Sequence, residues 1–145
     1  MQGGPHFTIK NETKGKLPRL PFVRIKEKIL GKKYELDFVF VTPERSKMLN
    51  LIYREKNKPT NVLAFPLSAS AGHIIICPEK ARVEAPEFDK TPLEFIGFLF
   101  IHALLHLKGL THGSRMESEE RKFYALLMRG SSPSRIHGKK NMRRN

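Results

Sequence analysis

Apolar and polar residues follow two different periods along this chain, and each period predicts one kind of element. The alternation that starts at Tyr34 and passes into the apolar run 38–41 is typical of a strand that enters a sheet. Two further apolar runs predict strands at 61–66, which Pro66 should end, and at 72–77. We therefore expect three strands.

Apolar residues at helical spacing predict five helices, over 22–30, 43–54, 78–85, 92–108 and 116–128. Thr42 is a suitable N-cap for the second helix, and we expect the apolar face of that helix to pack inward through Met48, Leu49, Ile52 and Tyr53. The fourth helix begins with the capping box Thr91-Pro92-Leu93-Glu94 and ends at Gly109. Strands interspersed with helices predict one compact domain of the α/β (α+β) class.

The two ends of the chain are basic and lack this patterning. Residues 1–20 carry several basic side chains with little apolar periodicity, which predicts a basic, partly flexible N-terminal segment. Residues 131–145 include basic residues and no acidic residue, a composition typical of a disordered basic tail. The folded domain is therefore expected over 21–130.

The net charge and the cysteine content bear on the partners and on the cellular compartment of the protein. The chain holds 27 Lys and Arg against 14 Asp and Glu, and its net charge of +13 attracts polyanions such as RNA or DNA. Charge alone leaves two other interpretations open, a basic protein without a nucleic-acid role and one drawn to anionic membranes. Cys77 is the only cysteine, so no disulfide forms within the chain, which fits a reducing compartment.

Two features favour a cytoplasmic protein without a membrane partner. The N-terminus lacks the basic and then apolar plan of a signal peptide. The apolar stretch 92–110 contains polar groups that are costly in lipid, so a buried core helix is its better interpretation. These polar groups are Glu94, His102, His106 and Lys108.

Three histidines have the spacing of a metal site. On a helix, His102 and His106 lie four positions apart, about 6 Å along the axis, so both rings can reach one ion. Gly109 permits a turn with positive φ, which can bring His112 to the same ion. Three imidazoles leave one position of a tetrahedral Zn²⁺ free for water, whose pKa falls to about 7 there. Since no cysteine cluster exists to close the coordination, we predict one catalytic zinc ion at the end of this buried helix.

The same spacing, His-x3-His-x2-Gly-x2-His, occurs in metzincin proteases, which makes a zinc metalloprotease an alternative. Those enzymes place a glutamate directly after the first histidine as general base. Ala103 occupies this position and cannot accept a proton, so phosphodiester chemistry is preferred to peptide hydrolysis.

Two blocks of sequence carry a family resemblance. Residues 102–112, HALLHLKGLTH, resemble the HGxLHLxGYDH signature of the YbeY-type endoribonucleases. Residues 53–66, YREKNKPTNVLAFP, are similar to that family's YRxxxxPTDVLSFP segment, and 74–79, IIICPE, resemble the strand and turn that follow it. The similarity runs from about Leu36 to Tyr124.

The resemblance implies a small mixed β-sheet packed by helices, with the metal site at the end of the central buried helix. It also implies a metal-dependent, single-strand-specific endoribonuclease of rRNA maturation and ribosome quality control, with single-stranded RNA, rRNA and the small ribosomal subunit as partners. The domain 21–130 is then a metallo-hydrolase. Arg54 matches the family's functionally important arginine, and its guanidinium suits both binding and catalysis at a phosphodiester. Lys56 and Lys58 either line an RNA groove or only keep their loop soluble.

The chain departs from the family pattern at Ala64, His73, Ala103 and Thr111. Thr111 replaces an aspartate before the third histidine, and loss of that carboxylate can change ligand orientation or metal affinity. His73 replaces an aspartate after Gly72, and it is either an added site residue or a polar residue at a strand start. A second hypothesis is therefore a ribosome-associated RNA-binding module whose metal is mainly structural.

Overall fold

The protein is described over residues 6–129 by a computed structural model. Its strands are β1 (Phe7–Asn11), β2 (Glu35–Phe40), β3 (Val62–Ser68) and β4 (Ala71–Ile76). Its helices are α1 (Phe22–Leu30), α2 (Pro43–Arg54), α3 (Pro78–Glu84), α4 (Pro92–Lys108) and α5 (Ser114–Arg129), with a 3-10 helix at Ala85–Phe88. The predicted bounds of α1, α2 and α4 are confirmed. The predicted basic tail 131–145 lies outside the described residues.

The four strands form one mixed sheet in the order β1-β2-β4-β3. β1 runs parallel to β2 and β2 parallel to β4, whereas β3 and β4 pair antiparallel as a hairpin. Helices α1 and α2 connect β1 to β2 and β2 to β3. The predicted α/β class, with a small mixed sheet packed by helices, is confirmed.

One face of the sheet, the inner face, carries the main core. Leu36, Phe38 and Phe40 alternate along β2 with more exposed residues and pack with α1, α4 and α5 in one apolar cluster. A Cβ built on Gly97 of α4 would lie 2.6 Å from Cδ2 of Leu127, so a glycine there allows α5 to approach α4 closely. Further along the same pair of helices, Glu120 of α5 contacts His102 of α4.

The opposite face of the sheet, the outer face, carries a smaller core. Its buried cluster consists of Val41, Leu63, Ile75 and Cys77, and Leu49 of α2 packs against it. Burial raises the pKa of the Cys77 thiol, which agrees with a core role for this residue. Outer-face side chains from β1 and β2 instead line a groove beside α2.

The prediction for the inward face of α2 is wrong except at Leu49. Met48, Ile52 and Tyr53 are 45%, 60% and 58% exposed, and the buried residues of α2 are Ser46 and Asn50. The reason is a set of hydrogen bonds to the loop after the helix. The Ser46 hydroxyl donates to the Thr60 carbonyl (2.7 Å) and accepts from the Thr60 amide (2.9 Å), and Asn50 Nδ2 donates to the Lys58 carbonyl (2.9 Å).

Two further expectations about strands are corrected. The segment expected to be loosely held contains β1, which pairs with β2 along its whole length. The sequence pattern did not predict β1 because Phe7 is the only buried residue of this strand. Strand β3 does not end at Pro66 but continues to Ser68, with a register irregularity between the two. Proline is tolerated there because β3 is an edge strand, with no ladder partner on its free side among residues 6–129.

No single helix within residues 6–129 is long and apolar enough to cross a bilayer. The helical stretches Pro78–Phe88 and Pro92–Lys108 reach the required length and composition only when they are taken together across a 100° bend.

Candidate metal centre

The C-terminal half of α4 presents two histidines at the edge of the core. The helix is held in place by Ala103, Leu104 and Leu105, which are at most 1% exposed. His102 is partly buried, and its ring centroid lies 4.6 Å from that of His106, one turn along the helix. Because Ala103 points into the core, the position after the first histidine offers nothing to the site.

Gly109 redirects the chain after α4. Its φ of 108° is in the left-handed region, and its amide and that of Leu110 donate to the His106 and Leu105 carbonyls. The turn brings the His112 ring to 5.4 Å, centroid to centroid, from both helical histidines. The expected helix end and chain reversal are confirmed.

The three histidines present their ring nitrogens to one point. One nitrogen from each of His102, His106 and His112 lies within 4.8 Å of the others. Nε2 of His102 and Nε2 of His106 are 3.1 Å apart. Two ligands of a tetrahedral Zn²⁺ with bonds of about 2.0–2.1 Å lie about 3.3 Å apart, so this spacing fits one ion. The donor set could hold a divalent metal through three imidazoles and leave a further position free.

Glu120 of α5 supports the first histidine, and sequence reasoning missed it. Its Oε2 contacts Nδ1 of His102, and its side chain is only 12% exposed. A carboxylate on Nδ1 fixes the imidazole tautomer in which Nε2 carries the free lone pair, which is the common arrangement behind a metal-ligating histidine. The signal was present in the sequence, because Glu120 occupies the inward face of α5 between Met116 and Phe123.

Electrostatics at the centre favour the neutral form of His106. Burial lowers the pKa of His106, and positive charge on His102, His112 and Arg54 lowers it further, against a smaller opposite effect of Glu120. A neutral imidazole is the form that ligates a metal. The Arg54 contribution also locates this residue: the exposed guanidinium at the end of α2 lies close enough to His106 to act on its charge.

The other predicted residues occupy different surroundings. Lys56 and Lys58 are exposed on the loop after α2, whose backbone is tied to Asn50. Thr111 is exposed beside His112. His73 lies on the outer face of the sheet, where its Nε2 is 3.3 Å from Oδ2 of Asp37, so the structure does not bring it to the histidine cluster.

A cavity of about 240 Å³ opens beside the histidine cluster. His102 and His112 form part of its wall, together with the carboxylates of Glu117 and Glu120. The rest is mainly apolar and includes Phe88, Phe95 and Phe98. The candidate centre is therefore open to an external group rather than enclosed by protein ligands, which is the difference between a catalytic and a structural zinc site.

The sequence was compared with models of known families. The model of the family described as "Endoribonuclease YbeY" matches residues 9–126, which include all three histidines and Arg54. This chain belongs to the YbeY family. The protease interpretation finds no support in this membership.

Several curated relatives carry the same name, Endoribonuclease YbeY. The protein of Colwellia psychrerythraea is 42% identical over 60% of this chain and 61% of its own length. That of Legionella pneumophila is 41% identical over 54% of this chain and 55% of its own length. That of Phytoplasma australiense is 34% identical over 79% of this chain and 83% of its own. The match thus spans somewhat over half the length of the first two relatives.

A solved structure agrees with the fold. The solution structure of TM1509 from Thermotoga maritima matches with a TM-score of 0.58 and 27% identity, and the match covers 81% of this chain and 85% of that one. The similarity extends over the sheet and its helices rather than over the histidine motif alone.

Proposed function

We propose that this chain is a metal-dependent endoribonuclease that cleaves single-stranded RNA, with zinc as its ion. We further propose that it acts in the cytoplasm in rRNA maturation and ribosome quality control, with rRNA and the small ribosomal subunit as partners. The observation that carries the proposal is the convergence of three histidine nitrogens within 4.8 Å, with the Arg54 charge acting on the same cluster.

Each residue has a defined part in this proposal. His102, His106 and His112 would hold the ion, and Glu120 would keep His102 in the tautomer that presents Nε2. A bound divalent ion lowers the pKa of water and polarises a phosphoryl oxygen. The Arg54 guanidinium would orient the phosphodiester through paired N–H groups and stabilise its negative charge during reaction. Lys56 and Lys58 would hold neighbouring phosphates of the strand.

The test is cleavage of end-labelled single-stranded RNA and of the same sequence as a duplex. We expect the zinc-loaded protein to cut the single strand, and a chelator or His106→Ala to remove the activity together with the stoichiometric metal. His6→Ala is the matched control, because His6 is an exposed histidine beside Glu35 (3.7 Å) and outside the cluster. Cutting by the chelated protein at the full rate would contradict the proposal.

Arg54→Lys tests the second element of the site. Lysine keeps the charge but lacks the paired donors, so we expect cleavage to fall about 100- to 1,000-fold while zinc stoichiometry stays at that of the wild type. Loss of zinc in this variant would instead assign Arg54 to folding of the site. Metal retention without any cleavage by the wild type would favour the alternative, an RNA-binding module with a structural metal.

A further inference from the structure

A groove lies on the outer face of the sheet, opposite the face on which α4 packs. Its volume is about 600 Å³, within the range of pockets that hold small organic ligands. Its lining includes three residues of α2, Arg45, Leu49 and Tyr53, together with Lys10 of β1 and Glu12, which directly follows that strand. We call it the outer groove.

A row of paired side chains crosses the floor of the outer groove. The strand registers place Thr8, Asp37, His73 and Phe65 side by side on β1, β2, β4 and β3. Thr8 Oγ1 donates to Oδ1 of Asp37 (2.6 Å), and the His73 ring lies 3.3 Å from the other carboxylate oxygen. The Asp37 charge is thus met by these two partners, and Glu12 is the other carboxylate of the groove lining.

The row ends on two stacked aromatic rings. The Phe65 ring lies 5.9 Å from that of His73 and 4.5 Å from that of Tyr53, and the Tyr53 and Phe65 planes are 26° apart. Tyr53 remains 58% exposed. Exposed aromatic faces beside cationic side chains are the means by which proteins bind single strands, because every base has a face that can stack.

The outer groove and the cavity beside the histidine cluster lie on either side of the edge strand β3, which contributes Phe65 to the groove and Val62 to the cavity. Tyr53 of the groove and Arg54, the arginine of the proposed site, are consecutive at the end of α2. Lys10 and Arg45 line the groove, and Lys56 and Lys58 follow Arg54 on the exposed loop. Basic residues around the aromatic pair therefore outnumber the acidic ones, Glu12, Asp37 and Glu55, and this excess of positive charge complements a phosphate backbone.

We infer that the outer groove binds nucleotides that flank the cleaved phosphodiester of a single-stranded RNA. A base would stack on Tyr53, supported from behind by Phe65, while Lys10 and Arg45 meet phosphates and Arg54 leads the strand to the histidine cluster. This inference rests on the proposed function and names its substrate subsite. His73 belongs to the floor of this subsite. In this inference it contributes to RNA binding, although it lies away from the histidine cluster.

The test measures binding without cleavage. Fluorescence anisotropy of a labelled single-stranded RNA is followed with the full chain in the presence of a chelator. Tyr53→Ala should weaken binding about 5- to 150-fold, which corresponds to the ~1–3 kcal/mol of one stacked base. Tyr53→Phe should restore it, because the ring is kept. Ile52→Ala is the matched control, since Ile52 is 60% exposed on the same helix and lies outside the groove lining.

Two further arms separate stacking from charge. With an abasic RNA of the same length, Tyr53→Ala should bind as the wild type does. Lys10→Ala should weaken binding to both RNAs and reduce the slope of log affinity against log salt by about one, whereas Lys47→Ala, outside the groove lining, should leave the slope unchanged. An equal effect of Tyr53→Ala on normal and abasic RNA would overturn the stacking assignment.

The outcomes distinguish this inference from the proposed function. If Tyr53→Ala and Lys10→Ala bind RNA like their controls while the wild type still cuts it, the groove is not the RNA subsite. A protein partner is then the alternative occupant of the groove. If binding depends on Tyr53 but the zinc-loaded protein does not cut, the subsite stands and the endoribonuclease proposal is wrong. If the wild type binds no single-stranded RNA, both are wrong.

Discussion

Helices α2 and α4 begin in the same way and pack in opposite ways. Each has a threonine N-cap, Thr42 or Thr91, followed by proline at the first helical position. α4 then buries apolar side chains on nearly all sides, whereas α2 buries Ser46 and Asn50 and exposes Leu51, Ile52 and others. Sequence rules for helix formation thus fix where a helix starts but not which side it turns to the protein.

The difference also fits the two parts that α2 and α4 have in the proposed function. α4 is a core element, and its rigid end can hold His102 and His106 with the precision that a metal requires. α2 is fixed to its own loop by polar contacts and leaves its aromatic and cationic residues exposed. This arrangement suits a helix that contacts a substrate, with Tyr53 and Arg54 at its end.

The largest expected contrast concerns leucines in the two helices. Leu104 of α4 is 0% exposed and Leu51 of α2 is 47% exposed. Leu104→Ala should lower the free energy of unfolding by about 2–5 kcal/mol because it leaves a cavity in the main core. Leu51→Ala should change it by no more than about 0.5 kcal/mol. Urea unfolding of the two variants measures both values, and similar costs would show that α2 is buried in solution.

The next contrast concerns the support of the histidine end of α4. Glu120→Gln keeps the shape of the side chain but removes the negative charge behind His102. Zinc affinity should fall about 10- to 100-fold, as is typical when the partner of a ligating histidine is lost. A competition titration with a coloured chelator measures this, and Glu119→Gln is the control on the neighbouring position of α5. Unchanged zinc affinity would show that Glu120 has no part in orienting His102.

The polar attachment of α2 gives a smaller effect. Asn50 is 2% exposed and donates to the Lys58 carbonyl (2.9 Å). Asn50→Ala should cost about 1–3 kcal/mol, since the hydrogen bond between the buried Asn50 amide and the Lys58 carbonyl is lost, while Ile52→Ala should be close to neutral. The reverse order, measured by thermal or urea unfolding, would mean that the apolar face of α2 is the inward one after all.

The smallest contrast concerns the two caps. The Thr91 hydroxyl accepts from the Glu94 amide (3.1 Å) while the Glu94 carboxylate accepts from the Thr91 amide (2.9 Å), whereas the Thr42 hydroxyl accepts only from the Arg45 amide (3.2 Å). Thr91→Ala should therefore destabilise by about 1–2 kcal/mol and Thr42→Ala by about 0.5–1 kcal/mol. Equal unfolding midpoints for the two variants would show that the hydrogen bond from the Thr91 amide to the Glu94 carboxylate adds no stability.

Local rules predicted much of the fold and part of the site. The capping box, the Gly109 helix end and the histidine spacing depend on residues within a few positions of one another, so each could be read before packing was known. β1 could not, because a parallel edge strand with a single buried residue takes its stability from β2, which is distant in sequence. The same applies to Glu120, whose contact with His102 depends on the packing of α5 against α4.

The sequence by itself determined the helix bounds, the α/β class and the family, because caps, periodicity and motif spacing act over short distances. It also determined that His102, His106 and His112 are able to meet. Only the tertiary structure decided that Glu120 contacts His102, that the Arg54 charge lies near enough to lower the pKa of His106, and that Asp37, His73 and Phe65 form one row beside Tyr53. These neighbours come from separate strands and helices, and only the pairing of the sheet and the packing on its two faces bring them together.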